Sequence, residues 1–335
     1  MKTIAFKVYG DYKNQLINMN FIYCFWRTYA ESGTVDIYSN LSDKQMDSIL
    51  DGCGYFCFRG PLEACKPRVY ALVVDIDMFC TIAYQKKINM LKNLRTWIRL
   101  CLEFQENIHT SAFFDADHFC LCNIFAYAKI KGRNRVNIAD HNGLCGVEDC
   151  FSLPYVVKSE EETLRKYGLD EQAFVTIHRD TPMNENHTTT VWPKNYYEEL
   201  VDAFKERWPD VRIVNLTEGE NEEKEVGRDC SGCYDMEEIK VLLKHALLHI
   251  DGNSDLVFMR RALHKWNNLV IYGAYNADFY ACGREPVIRH TSCPGSCEGL
   301  HGSWSAYCPL YEKPQCLWEI TPKRLMEIIA EMNIF

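Results

Sequence analysis

Residues 246–274, ALLHIDGNSDLVFMRRALHKWNNLVIYGA, leave the local fold little choice. Leu247–Ile250 is a short apolar run of the length of a buried strand. Asp251–Asp255 (DGNSD) is a turn of Asp, Gly, Asn and Ser. Leu256, Met259 and Leu263 then recur at helical spacing, and Leu269–Tyr272 is a second apolar run closed by Gly273. Strand, small-residue turn, helix, strand is one unit of an α/β sheet. A helix that begins at such a turn aims free backbone N–H groups and a positive dipole end at its surroundings, and phosphate suits that place. The same pattern also makes plain connections that bind nothing.

The alternation runs through the whole chain. Thr3–Tyr9 reads as a strand stopped by Gly10-Asp11, Gln15–Tyr29 as a helix apolar on nearly every side, and Thr34–Tyr38 as a second strand. This is the start of a doubly wound sheet. Asp11 follows the carboxyl end of the first strand, the edge where open α/β sheets bind ligands. It is equally placed to cap the helix. Helices are expected at Ser42–Leu50, Asn89–Phe104 and Asp117–Lys129, strands at Arg68–Asp77 and Arg135–Ile138, and loops at Gly52–Gly60 and His141–Cys150.

The second half repeats the theme. Phe174–Arg179 is a strand, Asp180–Thr190 a polar loop, Pro193–Trp208 an amphipathic helix, Val211–Leu216 a strand and Tyr234–His245 a helix. Thr321–Met332 is a helix with Thr321 as cap and Pro322 in its first turn. A length of 335 residues accommodates two domains. Residues 158–172 are polar with few apolar anchors, which suits a linker. The expected organisation is an N-terminal domain over 1–157, a linker, a C-terminal domain over 173–320 and a terminal helix over 321–335. Two Rossmann-like α/β domains facing a central cleft, closed by a terminal helix, make a GT-B architecture.

Composition narrows the function. Hydrophobic residues at 47% and charged residues at 25% describe a globular chain. A formal net charge of −9 argues against nucleic acid as a partner. The N-terminal MKTIAFKVYGDYKN lacks the form of a secretory signal, which reads as a cytoplasmic protein, at most working at the inner face of a membrane. Seventeen cysteines are then expected as reduced thiols, many of them plain core residues.

The second half resembles glycosyltransferase family 9, the heptosyltransferase-like group. The likeness rests on VWPKNYYEELVDAF (Val191–Phe204), DGNSDLVFMRRAL (Asp251–Leu263), NNLVIYGAYNADFY (Asn267–Tyr280) and the Cys-bearing stretch from Cys293 that leads into ITPKRLMEII. In the first half only Gly10-Asp11 is recognisable. The resemblance implies inverting transfer of a sugar from a nucleotide-sugar donor (ADP-, GDP- or UDP-linked) to a glycan, glycolipid or protein acceptor, in bacterial surface-glycan assembly. It implies Asp11 as the general base that takes the acceptor proton. The donor would lie on Asp251, Gly252, Asn253, Ser254 and Asp255, with Arg179, Lys194 and the hydroxyls of Thr188, Thr189 and Thr190 on phosphate. Glu218 would hold the nucleotide ribose, because a carboxylate suits two vicinal hydroxyls.

Departures from the family pattern are specific. Thr190 stands where the family usually has Lys, Phe258 where it often has His, and Ser254-Asp255 where it has two glycines. Arg179, Lys194, Arg260 or Arg261 could replace the missing cation, although Arg260 and Arg261 read better as surface charges or ion-pair partners. A nucleotide-sugar 2-epimerase of the same architecture, or a catalytically degraded, metal-stapled binding protein, are the competing readings.

Cys293, Cys297, Cys308 and Cys316 are spaced C-x3-C-x10-C-x7-C in a segment rich in Gly and Pro with little apolar pattern. A tetrahedral thiolate site would hold such a segment folded. Zinc is the default and iron also suits sulfur ligands. Disulfides and unlinked thiols remain open.

Overall fold

The computed structural model describes residues 2–29, 33–86, 92–110, 121–179, 188–216, 235–282, 284–289, 293, 297–299 and 303–335. The chain divides into two compact units, Met1–Val156 and Val157–Phe335.

The first unit is built on a sheet in which β1 (Lys2–Val8) lies between β2 (Val35–Ser39) and β4 (Tyr70–Ile76), both parallel to it. β3 (Phe56–Phe58) extends it beyond β2, and β5 (Cys80–Gln85) closes the other side antiparallel to β4, giving the order β3-β2-β1-β4-β5. Neither β3, which falls in the expected loop Gly52–Gly60, nor β5 is foreseen. Both are edge strands that mix buried residues with half-buried or exposed ones, so their apolar pattern is weak.

Helix α1 (Tyr12–Tyr29) crosses from β1 to β2 and is buried along most of its length. Phe25 on α1 meets Phe6 of β1 at 5.2 Å and Trp97 at 4.9 Å between ring centroids. Helix α2 (Asp43–Leu50) opens with a capping box between Ser42 and Gln45. α3 (Arg95–Thr110), which carries Trp97, and α4 (Leu121–Lys131) complete the unit.

Residues 135–138, expected as a strand, form turns and a 3-10 helix instead. The cause is local. Asn134 Oδ1 accepts from the Val136 N–H at 3.0 Å and Asn137 Oδ1 from the Asn134 N–H at 2.8 Å. These side chains satisfy backbone donors that a strand would pair in a ladder.

The second unit holds a fully parallel sheet, order β10-β9-β8-β6-β7. Its strands are β6 (Phe174–Ile177), β7 (Arg212–Asn215), β8 (His249–Asp251), β9 (Asn268–Ile271) and β10 (Val287–Ile288). Its helices are α5 (Glu160–Lys166), α6 (Lys194–Arg207), α7 (Met236–His245), α8 (Asp255–Ala262), α9 (Ala277–Tyr280), α10 (Gln315–Trp318) and α11 (Pro322–Glu331). The core between sheet and helices gathers Trp192, Leu200, Phe204, Ile250, Leu269, Leu317, Leu325 and Ile329. Trp192 Nε1 donates to the Ile320 carbonyl at 2.8 Å, which ties the entry to α6 to the entry to α11.

The stretch expected as a linker, 158–172, carries α5, which packs on α7 through charge. Lys244 Nζ reaches Glu160 at 2.7 Å, Tyr167 Oη donates to Glu238 at 2.8 Å, and Lys166 also pairs with Glu238. Its polar composition reflects a helix attached by ion pairs rather than by apolar contact.

Arg260 and Arg261 serve the fold. Arg260 is buried and donates to the carbonyls of Leu243 and Ala246 at the end of α7. Arg261 forms a fully buried pair with Glu285, and its other N–H groups reach the Tyr280 carbonyl and Tyr272 Oη, each at 3.0 Å. Removing one partner of such a pair strands the other charge in the core. Glu285→Ala should therefore cost about 3–5 kcal/mol in urea unfolding, far more than an alanine at exposed Glu327.

Candidate functional site: the turn after β8

β8 ends at Asp251, which is fully buried. Its Oδ1 accepts from the Gly252 N–H at 2.6 Å and lies 2.9 Å from His178 Nδ1. Its Oδ2 lies 3.1 Å from His249 Nε2 and accepts from the Ser254 hydroxyl. Burial alone would raise this carboxyl. His178, through its charge and hydrogen bond, and His249 outweigh burial and hold Asp251 well below the usual carboxylate range. His249, also fully buried, is pushed down by burial despite Asp251, and its Nδ1 is 3.0 Å from Thr176 Oγ1.

The turn is thus organised from inside. Ser254 is the N-cap of α8 and accepts from the Leu256 N–H at 3.1 Å. Asp251 and Ser254 spend their side chains on the turn itself, so contact with a donor, as expected from the sequence, falls to backbone N–H groups of this stretch. Asn253 is buried, Gly252 and Asp255 are part-exposed, and Asp255 lies in the first turn of α8. Phe258, where the resemblance expects His, is buried with the Arg261 guanidinium 4.5 Å from its ring.

His249 and His178 are both absent from the expected site residues, and of the two it is His178 that approaches from another strand. A signal for it exists in the register: Ile177 of β6 pairs with Ile250 of β8, so residue 178 comes opposite Asp251.

The loop before α6 lies against the same edge. Thr189 is fully buried; its hydroxyl donates to the Trp304 carbonyl, its N–H to the Ser305 carbonyl at 3.1 Å, and its own carbonyl accepts from Ala274 N–H at 2.8 Å. Thr188 Oγ1 is 3.3 Å from the Ser305 carbonyl. Gly273 makes this approach feasible: at φ +51° a Cβ there would stand 2.5 Å from the Thr189 carbonyl. Thr190, Val191, Trp192, Tyr197, Gly252 and Ile271 line a small recess. Arg179 sits beside it, buried, with Nε 3.4 Å from the Trp192 carbonyl and its guanidinium 5.9 Å from the Tyr197 ring centroid. The structure therefore gathers Thr190, Gly252 and Arg179, while the Thr188 and Thr189 hydroxyls hold the loop. Lys194 is exposed on the first turn of α6. Glu218 lies outside the described residues.

In the first unit, Asp11 is exposed and caps α1: Oδ1 accepts from the Asn14 N–H at 2.9 Å. Among the described residues its second oxygen has no hydrogen-bond partner, so the cap leaves an oxygen for chemistry. The loop is held from beneath by residues the sequence reading passes over. Buried Arg135 grips Asn14 Oδ1 through Nη2 at 2.7 Å and Nε at 3.2 Å, and buried Gln15 donates to the Gly10 carbonyl at 3.0 Å.

Cys293, Cys297, Cys308 and Cys316 act on one another electrostatically. Burial raises the Cys316 thiol to about 12, and the other three thiols push it the same way; burial also raises Cys297, helped by Cys308 and Cys293. Among the described residues no group of three or more His, Cys, Asp or Glu is arranged to hold a metal ion. The donor chemistry suits a soft cation, which would reverse this mutual suppression of thiolates. The segment is anchored by buried Glu298, which accepts from the Asn276 N–H at 3.0 Å and Tyr280 Oη at 2.9 Å.

By sequence, no protein-family model and no curated protein matches the chain. Solved structures do match. The dodecameric iron-containing heptosyltransferase TibC, in complex with ADP-D-beta-D-heptose, aligns over 99% of this chain and 76% of its own with a TM-score of 0.62 and 13% identity. The E. coli ADP-heptose LPS heptosyltransferase II aligns over 99% and 98%, with a TM-score of 0.58 and 14% identity. A family 9 glycosyl transferase from Veillonella parvula aligns over 99% and 97%, with a TM-score of 0.58 and 12% identity. The fold is GT-B. In this GT-B chain the turn after β8 belongs to the second unit and Asp11 to the first. Among the described residues no helix is long and apolar enough to cross a membrane.

The buried carboxylate makes a testable pH signature. Because the folded state depresses Asp251, its contribution to stability is present above the unfolded carboxyl value of about 3.9 and fades as pH falls below it. Asp251→Asn should unfold at clearly lower urea than wild type at pH 7. The gap between the two should narrow as the pH is taken below about 4.

Proposed function

We propose that the chain is an inverting glycosyltransferase. It moves a sugar from a nucleotide-diphosphate donor to an acceptor hydroxyl on a glycan, glycolipid or protein, in bacterial surface-glycan assembly. The observation that carries this reading is the turn after β8: an internally braced helix N-terminus at the carboxyl edge of a parallel sheet, in a GT-B chain. Support comes from the solved GT-B neighbours, which include heptosyltransferases in complex with ADP-D-beta-D-heptose, with ADP-2-deoxy-2-fluoro heptose and with ADP.

In this reading the acceptor oxygen attacks the sugar's anomeric carbon as the bond from that carbon to the diphosphate breaks. Asp11 takes the acceptor proton with the oxygen that does not cap α1. Charge builds on the departing diphosphate, which the backbone N–H groups at the start of α8 and the Arg179 guanidinium stabilise. Thr190 and Gly252 border the recess that receives the donor. Glu218 is the proposed ribose ligand and Lys194 a further phosphate cation.

We also propose a structural role for a zinc or iron ion held by Cys293, Cys297, Cys308 and Cys316. Such an ion would cross-link a segment that has little core of its own. None of the steps above passes through it. Elemental analysis of purified protein should give about one ion per chain, and Cys316→Ser should lose it together with several degrees of thermal stability. Metal-free protein with the stability of wild type would overturn this assignment.

The enzymatic reading is tested with nucleotide sugars and acceptor. Asp11→Asn should lower transfer by about a hundredfold or more while leaving calorimetric binding of the nucleoside diphosphate unchanged. Transfer at the wild-type rate would remove Asp11 as base. Absence of binding by wild type at millimolar nucleoside diphosphate would remove the enzyme reading altogether.

A further inference from the structure

The direction in which the Asp11 side chain leaves the backbone is set by the two planar peptide groups that flank it. The carbonyl of the first belongs to Gly10. It accepts from Gln15 Nε2 at 3.0 Å and from Asn40 Nδ2 at 3.1 Å. The carbonyl of the second belongs to Asp11 itself and accepts from the Gln15 backbone N–H at 2.9 Å, at the start of α1. Gln15, fully buried, therefore grips the chain on both sides of Asp11. Its own orientation is forced by what surrounds it. Ser39 Oγ, at the end of β2, takes the Leu41 N–H at 2.8 Å and gives its proton to Gln15 Oε1 at 2.5 Å, which turns Nε2 toward Gly10. Nε2 also donates to Asn40 Oδ1 at 2.8 Å, and this turns Asn40 Nδ2 onto the same Gly10 carbonyl. Both hydrogens of Gln15 Nε2 are thereby used.

Gly10 has need of such a grip. It sits at φ +105°, and a Cβ there would stand 2.7 Å from Asn14 Cβ, so this step carries no side chain to stiffen it. We infer that Gln15 is a positioning residue for the catalytic base. It fixes the Gly10–Asp11 peptide so that, with Oδ1 on the Asn14 N–H at 2.9 Å, the second carboxylate oxygen is presented in one geometry. This rests on the reading of Asp11 as base and deepens it. Gln15 touches neither the substrate nor the transferred proton. It acts through Asp11 alone, whose proton transfer depends on close and well-oriented approach. Asn40, exposed at the end of β2, is the second arm of the same grip.

A double-mutant cycle between Gln15 and Asp11 tests this. ADP-, GDP- and UDP-linked hexoses and heptoses are supplied with water as the acceptor, and release of nucleoside diphosphate is followed. Water's oxygen bonds to the anomeric carbon, the bond to the diphosphate breaks, and water's proton passes to Asp11. Gln15→Met keeps the length of the side chain and removes its polar end. It should slow release about ten- to a hundredfold, while the Kd of the nucleoside diphosphate by calorimetry keeps the wild-type value. In the Asp11→Asn background the same substitution should change the rate by less than about twofold. Asn40→Ala, at an exposed position, should give a smaller loss with the same non-additivity, and it decides the question if Gln15→Met does not fold. An equal fold-loss in both backgrounds overturns the assignment, because general loosening of the unit multiplies with loss of the base. A wild-type rate in Gln15→Met overturns it as well. If wild type releases no nucleoside diphosphate, or Asp11→Asn releases it at the wild-type rate, the reading of Asp11 as base fails and this inference falls with it.

Discussion

Asp251 places a negative charge at the carboxyl edge of the second sheet with no solvent exposure. Four groups reach that one carboxylate: two imidazoles, a backbone N–H and a hydroxyl. They come from β6, β8 and the start of α8. The carboxylate thus sets the register of two strands against each other, the conformation of a turn and the cap of a helix. A neutral side chain of the same shape could accept only part of this set. The positions of the recess and of the helix N-terminus follow from it.

A comparable arrangement supports Asp11, though by weaker and more exposed contacts. There the charged residue faces outward and the bracing lies behind it, from Asn14 to Arg135. The two loops differ in how charge is used. In the first unit an exposed carboxylate accepts from the backbone N–H of Asn14, whose side-chain amide a buried cation grips. In the second, a buried carboxylate holds two imidazoles. Both solutions rely on residues inside the unit, which leaves the outward groups in a fixed geometry before any ligand arrives.

Much of the fold is legible in the sequence. The long apolar runs at Tyr70–Ile76 and Phe174–Ile177 are buried strands, and capping pairs such as Ser42 with Gln45 mark helix starts. The failures have physical causes. β3 and β5 are edge strands with diluted alternation, and residues 135–138 trade a ladder for Asn side-chain bonds. At the site, the turn itself is legible because Gly, Asn, Ser and Asp at a strand's end are a local signal. The roles within it are not. Asp251 and Ser254 point inward because of partners at positions 178 and 249, and no local pattern shows that pairing. His178 emerges only once the β6–β8 register is known.

The Thr188 hydroxyl and the Thr189 N–H and hydroxyl bond to the carbonyls of Trp304 and Ser305, residues 115 to 117 positions further along the chain. A chain made from its N-terminus onward can form β6, β8 and the turn, yet the N–H and hydroxyl of Thr189 have no partner until that late segment has left the ribosome. Only then can the loop settle against Gly273 and Ala274. The wall of the recess is therefore completed only by a late segment of the second unit. A nascent or C-terminally truncated chain would carry a finished sheet with an unfinished pocket.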